Sequence, residues 1–492
     1  MKKIKLSSII ESRITGYLII LIFIILKLPH LDYPFFWDES WPYASAIHSM
    51  YQHGPSLSPD AIDPNLTRGH PTLWIFMVAT WMKIFGTSLI AIHSFPLLVS
   101  TLFSISIYEI ARKLFNPITG IFALLLIIFQ LIFFVQSSLV LLEISLAFAA
   151  LSSIYFYSTN QLKWLTFSLL ILFFIKETGT ILGLSLGIMS IIRWLKRDIN
   201  LKEFLRHLMV FSIPVIAYVV FFSIQKKLLG WYFFPFHVEL VEINYPVIRD
   251  KFIAGLSLLT IEDNRRLLLQ LLALFMAVVL VSKWDVLKNN IAQFSFETFF
   301  GEKWSEQKTF VLTILLFIPV FLFFSGMNVF INRYYLIVLV PFYFLYALIF
   351  ASLVKKFNAS SFFIIAGLLI SFHVYSFKNS YKIGDNDLGA FKIMRVEQSM
   401  ISYMEKHYPY DTPISTNAFL IRTQLTDPNT RYLSSDKKYT NVNWEVNANT
   451  KVALFSNKED DSQREAVINN GEYKMVIRFE NGNTWGEIYE RK

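Results

Sequence analysis

The chain has 492 residues, of which 54% are hydrophobic, 17% aromatic and only 16% charged, with a formal net charge of +9 and no cysteine. This composition excludes an ordinary soluble enzyme, and the missing cysteines exclude disulfides and thiolate metal sites. Lys and Arg fall between apolar runs instead of forming one stripe, so they read as topology signals of a polytopic membrane protein, and nucleic acid is not expected as a partner.

Crossing a bilayer takes about 17 to 25 mostly apolar residues. Eleven segments qualify, at approximately 14–31, 88–110, 119–136, 140–158, 163–177, 178–194, 207–225, 266–282, 309–325, 334–353 and 360–377. The first lies behind Lys2, Lys3, Lys5 and Arg13 and has no small-residue cleavage site after it, which predicts a retained helix with a cytoplasmic N-terminus. Arg112 and Lys113, Lys163, the cluster Arg193, Lys196, Arg197, Lys202 and Arg206, then Lys283 with Lys288, and Lys355 with Lys356, all fall on the cytoplasmic side of that scheme. It holds only if His70 to Gly86 lies flat on the outer interface as an amphipathic helix, which makes 32–87 a long external loop. A second external connection, about 226–265, carries Trp231, His237, Glu239 and Glu242 and suits either a mobile element over a site or an ordered loop. After residue 377 the apolar spans stop and Asn, Asp, Lys and Thr become common. Residues 378–492 are expected as a small soluble α/β domain outside the membrane, with a helix over Ile393–His407, a strand over Lys451–Phe455 and a hairpin from Lys474 to Tyr489. The predicted fold is therefore a polytopic α-helical membrane protein of about eleven transmembrane helices, residues 1–377, with a small C-terminal α/β extracytoplasmic domain.

Charges within or beside spans cost about 2.5 to 3.5 kcal/mol on insertion scales, so several at one depth point to a shared polar cavity. Four such features share the outer side: Asp38 and Glu39 after the first span; Arg68-Gly69-His70-Pro71; Glu143; and Lys176 with Glu177. Arg333, followed by Tyr334 and Tyr335, opens the tenth span at the same level. A carboxylate can act as base towards a hydroxyl or amine, and cations can hold the charge of a departing phosphate. Each residue also admits a structural reading. Glu143 can pair with Lys176, Arg333 can snorkel from its helix end, His70 can cap or turn beside Pro71, and Lys176 can neutralise Glu177. His48 and His53 are expected on the solvated face of the helix after Asp38.

The order of these motifs resembles the GT-C glycosyltransferases, specifically the branch of protein O-mannosyltransferases and lipid A aminoarabinose transferases, over roughly residues 10 to 350. The resemblance implies an integral membrane enzyme that takes a sugar from a polyprenyl-phosphate donor and transfers it, with inversion, to a lipid, glycan or protein acceptor outside the cytoplasmic membrane. It implies Asp38, Glu39 and Glu143 as catalytic residues, and Arg333, Lys176, Arg68 and His70 as contacts to the donor phosphate. Three positions depart from the pattern. Glu143 stands for the usual Asp, Trp41 for an Arg three residues beyond the first acid, and Gly69 for the Glu that the aminoarabinose transferases place before the basic residue and Pro. A divalent metal site built on that Glu is not carried over, so metal ligands are not assigned. The rival readings are a transporter or flippase of a lipid-linked or anionic substrate, and an inactive assembly protein on the same scaffold. An oligosaccharyltransferase is disfavoured by the lack of a Trp-Trp-Asp motif.

Overall fold

The computed structural model describes residues 12–282, 305–357, 359–457 and 462–492. Lys2, Lys3, Lys5, Lys283, Lys288 and the side chains of Lys355 and Lys356, used above as topology signals, lie outside the described residues. Helices coincide with every expected span, and seven are long and apolar enough to cross a membrane by length and composition: Arg13–His30, Leu89–Leu114, Glu177–Leu195, Leu201–Leu229, Glu306–Ser325, Asn332–Val354 and Ser360–Lys378. The chain is a multi-pass membrane protein. The first helix is capped by the Ser12 side chain, which accepts from the Ile14 N–H at 3.2 Å. It lies close against Tyr108, because a Cβ on Gly16 would come within 2.5 Å of that ring.

The third expected span is not one helix. It divides into Pro117–Ile127 and Leu131–Gln136, with Gln130 at the break. The reason is a distant partner: fully buried Arg265 donates to Gln130 Oε1 at 3.1 Å and to the Leu258 carbonyl at 2.8 Å. The break gives the guanidinium a polar seat that a continuous apolar helix would lack. Residues 226–265 include the helices Pro235–Glu239 and Tyr245–Thr260. The segment expected to lie flat on the outer interface is the helix Leu73–Phe85.

The C-terminal segment folds as an α/β unit. Strands β1 (Ile414–Ser415), β2 (Val442–Asn443), β3 (Val452–Ser456), β4 (Tyr473–Asn481) and β5 (Thr484–Arg491) form one sheet in the order β2-β1-β3-β5-β4. The hairpin β4–β5 is antiparallel, and helix Gly389–His407 buries Met400, Ile401 and Met404 in a core shared with Leu454 and Ile488.

This unit grips the first loop. Phe36, Leu139 and Leu141 share an apolar cluster with Ala390, Phe391 and Met394. Each large side chain so buried contributes about 1.5 to 3 kcal/mol. Ser45 Oγ donates to Asp427 Oδ2 at 2.6 Å, and the Phe35 N–H donates to the Thr430 carbonyl at 3.2 Å. His48, expected on a solvated face, belongs to this junction. It is buried, its Nδ1 bonds the Ala44 carbonyl at 2.8 Å, and its Nε2 accepts from Arg431 Nη2 at 3.2 Å. Burial, reinforced by Arg431 and opposed by the Ala44 hydrogen bond and Asp427, lowers its pKa. His53 is exposed, as expected.

Candidate active site

Asp38 is carried on a tight turn, the 3₁₀ segment Trp37–Glu39. Trp37 has φ +55°, a left-handed conformation costing about 1 to 3 kcal/mol for a residue with a Cβ. Glu39 holds the turn in place. Fully buried, its carboxylate accepts from the Phe36 N–H at 3.2 Å, the Val140 N–H at 2.5 Å and His93 Nε2 at 3.0 Å. His93 Nδ1 faces the Leu31 carbonyl at 3.0 Å, so this ring meets an oxygen at both nitrogens. Glu39 thus faces inward, whereas the Asp38 side chain is 28% exposed.

Two helix ends, a 3₁₀ segment and the connection after the last span bring the remaining groups together. Glu143 opens helix Glu143–Ser158 and Lys176 closes the adjacent helix Leu162–Ile175, so an anion sits at an N-terminus and a cation at a C-terminus. Each placement is favoured by about 0.3 to 1 kcal/mol. Lys176 Nζ lies 3.3 Å from Glu143 Oε1 and 3.3 Å from the centroid of the Tyr334 ring. Arg333 is 3% exposed, which rules out snorkelling. It donates from Nη2 to Asp38 and from Nη1 to Asp385, and its Nε lies 3.5 Å from Glu143 Oε1. Three carboxylates therefore face two cations, an excess of one negative charge. Glu143 Oε2 is buried without a hydrogen-bond partner. Burial pushes the Asp385 carboxyl above its ordinary pKa; Arg333 opposes the shift, and the Asp38 and Glu143 charges reinforce it.

The Arg68–Pro71 segment closes the circuit. Glu177 pairs with His70 Nδ1 at 2.7 Å, not with its neighbour Lys176. Arg68 lies over the Trp41 ring, Cζ 4.8 Å from the centroid, so a cation reaches the place where the sequence carries Trp41 in place of Arg. His237, from the 226–265 connection, lies tilted against His70, with centroids 5.1 Å apart and an interplanar angle of 41°. Only glycine fits at Gly69, which has φ +75° and would place a Cβ 2.8 Å from that of Phe234. Among the described residues no group of three or more His, Asp or Glu side chains is arranged to hold a metal ion. With Gly69 in place of Glu, the residues present do not fit that metal site.

The structure thus brings Asp38, Glu143, Lys176 and Arg333 into one ion cluster and sets Arg68 and His70 on its rim. Glu39 stands behind the turn. Sequence reasoning missed Asp385 and His93. The signals were present: an Asp in Gly384-Asp385-Asn386-Asp387 directly after the last span, and a lone His inside an apolar run.

The site thus sits where the helix ends of a multi-helix membrane bundle converge on an acid–base cluster, with an α/β unit packed against it. A family model for dolichyl-phosphate-mannose-protein mannosyltransferases matches residues 69–224, which include His70, Glu143 and Lys176 but neither Asp38 nor Arg333. The fold is similar to that of ArnT from Cupriavidus metallidurans, both bound to undecaprenyl phosphate (TM-score 0.55, 12% identity, 96% of this chain and 98% of that one) and in the apo state (0.54, 11%, 97% and 98%). It is also similar to the Archaeoglobus fulgidus oligosaccharyltransferase in complex with zinc and sulfate (0.51, 13%, 89% and 67%). No curated protein sequence matches the chain. Fold and family match together support a membrane glycosyltransferase.

Proposed function

We propose that the chain transfers a sugar from a polyprenyl-phosphate donor to an acceptor on the outer side of the cytoplasmic membrane. One observation carries the reading: Asp38 stands at the lip of a buried ion cluster, on a strained turn that Glu39 and His93 hold from behind. Asp38 accepts the proton of the acceptor hydroxyl or amine. The freed nucleophile attacks the anomeric carbon, the bond from that carbon to the phosphate oxygen breaks, and polyprenyl phosphate leaves ionised. This is a single displacement with inversion, and it needs no acid on the leaving side.

Arg333 has a carboxylate against each of its three nitrogens, so a phosphate reaches it only by displacing one of them. Arg68, in no ion pair among the described residues, is better placed to meet the donor phosphate first, with His70 two residues on, and Lys176 joins it only by giving up its pairing with Glu143. Glu39 acts by positioning the turn and Glu143 by orienting Lys176 and Arg333.

The test is transfer from a polyprenyl-phosphate sugar by Asp38→Asn. A loss on the order of a hundredfold or more is expected, with the folded protein intact; activity near wild type removes Asp38 from the mechanism. The side of the membrane is tested separately with cysteines placed at Ser58 and Ser435, positions that should both react with an impermeant thiol reagent on intact cells. Labelling of only one before lysis would contradict the proposed topology.

A further inference from the structure

An aromatic ladder starts at the Asp38 turn and runs onto the C-terminal unit. Trp41, three residues after Asp38, meets Phe419 edge-on with centroids 5.4 Å apart. Phe419 is stacked with Trp444 at 6.3 Å and an interplanar angle of 15°. Phe419 and Trp444 are exposed, at 39% and 46%. A guanidinium closes each end: Arg68 Cζ lies 4.8 Å from the Trp41 centroid and Arg422 Cζ 4.5 Å from that of Trp444. Neither arginine is in an ion pair among the described residues, in contrast to Arg333 inside the site.

The exposed rings of Phe419 and Trp444, with Trp41 set nearly perpendicular to Phe419 and a guanidinium at each end, offer apolar surface for an amphipathic ring and charge for an anion. Phe419 and Arg422 share one face of helix Phe419–Thr426, being three residues apart. What lies along the ladder is also constrained by where it begins. Trp41 continues the Asp38 turn, its N–H donating to the Trp37 carbonyl at 3.1 Å, so an occupant that stacks on Trp41 is held at the turn whose carboxylate is proposed to take the acceptor's proton.

We propose that this ladder is the acceptor subsite, and that it binds an anionic saccharide whose ring faces lie on Trp41, Phe419 and Trp444 and whose acidic group pairs with Arg422, while Arg68 at the Asp38 end is left to the donor phosphate. The assignment rests on the glycosyltransferase reading and narrows its acceptor. A lipid surface would meet these residues with no need for the line to end at Asp38. An acidic peptide would use Arg422 but leave the stacked ring faces without a matching flat partner.

The probe is an α-1,4-linked galacturonic acid tetramer, titrated calorimetrically into the purified full-length protein, with maltotetraose and tetraglutamate as neutral-sugar and acidic-peptide controls. The galacturonate tetramer should bind more tightly than either control. Trp444→Ala and Arg422→Ala should each weaken it at least about tenfold. Arg422→Lys, which keeps the charge and is safe for folding, should fall between wild type and Arg422→Ala. Equal or tighter binding of either control, no binding of the galacturonate tetramer, or unchanged affinity in all three variants would overturn the proposal. Titrating undecaprenyl phosphate into the same proteins reads the donor side separately. Its affinity should be the same in wild type and variants, and a drop in the variants would move the ladder to the donor and overturn the acceptor assignment. Failure of wild type to bind it would count against the donor reading alone.

Discussion

Two buried ion clusters in this molecule are built in opposite proportions. Around Arg333 one guanidinium meets Asp38, Asp385 and Glu143. Around Glu487, in the C-terminal sheet, one carboxylate meets two guanidiniums and a phenol. Arg464 donates from Nε at 2.6 Å and from Nη2 at 2.9 Å, Tyr489 donates at 3.0 Å, and Arg478 completes the set. Both Glu487 oxygens are satisfied and both arginines lie over Trp485, at 4.8 and 5.0 Å. The first cluster keeps an unbonded Glu143 oxygen and a partly exposed Asp38. A saturated network holds a fold in one arrangement; an unsaturated one, open at its lip, leaves capacity for a substrate.

The largest expected effect comes from removing the hub of the open cluster. Arg333→Ala would leave three carboxylates facing Lys176 alone, and breaking a buried pair in this way costs about 3 to 5 kcal/mol. Arg333→Lys keeps the charge but not the fork, so it should be milder in both stability and transfer. Thermal unfolding of the purified protein checks this. Two variants as stable as wild type would mean that Arg333 is not a structural hub, and the cluster would have to be read as a phosphate clamp alone.

Why the sequence yields one part of this picture and not another depends on distance along the chain. The spans are legible because each is a local apolar run, and Asp38, Glu143, Lys176 and Arg333 are legible because charges at span ends are expensive and stand out. The break at Gln130 is not, since the guanidinium that occupies it comes from Arg265, 135 positions away. Arg333 invites reading as a phosphate ligand for the same reason: its partners are Asp38, 295 positions earlier, and Asp385, 52 later. Asp385 follows the last span directly, but it opens a polar tract where Asp and Asn are common, so its signal is weak beside that of a charge within an apolar run. Glu39 looks like a twin of Asp38 in sequence, and only His93, 54 positions on, shows that the two point opposite ways.

A smaller effect is expected at the saturated cluster. Glu487→Gln keeps the shape and removes the charge, and because Arg464 and Arg478 are partly exposed the loss should be only about 1 to 2 kcal/mol. Transfer per folded molecule should not change, in contrast to Asp38→Asn. Burial raises the Glu487 pKa, but the hydrogen bonds and charges of the two arginines outweigh it and leave it below the usual 4.5. Its contribution is therefore present above the unfolded value and is lost as pH falls through the lower folded value. Loss of transfer in correctly folded Glu487→Gln would end the division into a structural and a reactive cluster.

The smallest effect tests the border between the two kinds of site, at His237. Burial lowers its pKa from 6.5 to about 4, with His70, Arg68 and Lys176 adding to the shift and Glu177 opposing it. The folded protein keeps this ring neutral where the unfolded chain takes up a proton, so stability should fall as pH drops from 6.5 towards 4. Because the ring is only partly buried, solvent screening reduces the effect to about 1 kcal/mol. His237→Gln abolishes that titration while leaving a polar side chain against His70. Measured by denaturant unfolding at stepped pH, wild type should lose stability relative to His237→Gln across that window and match its slope above pH 7. Parallel curves from pH 7 to 4 would show that His237 is as open to water as an ordinary loop histidine. The 226–265 connection would then be no tighter a cover over Arg68 and His70 than a solvent-separated loop.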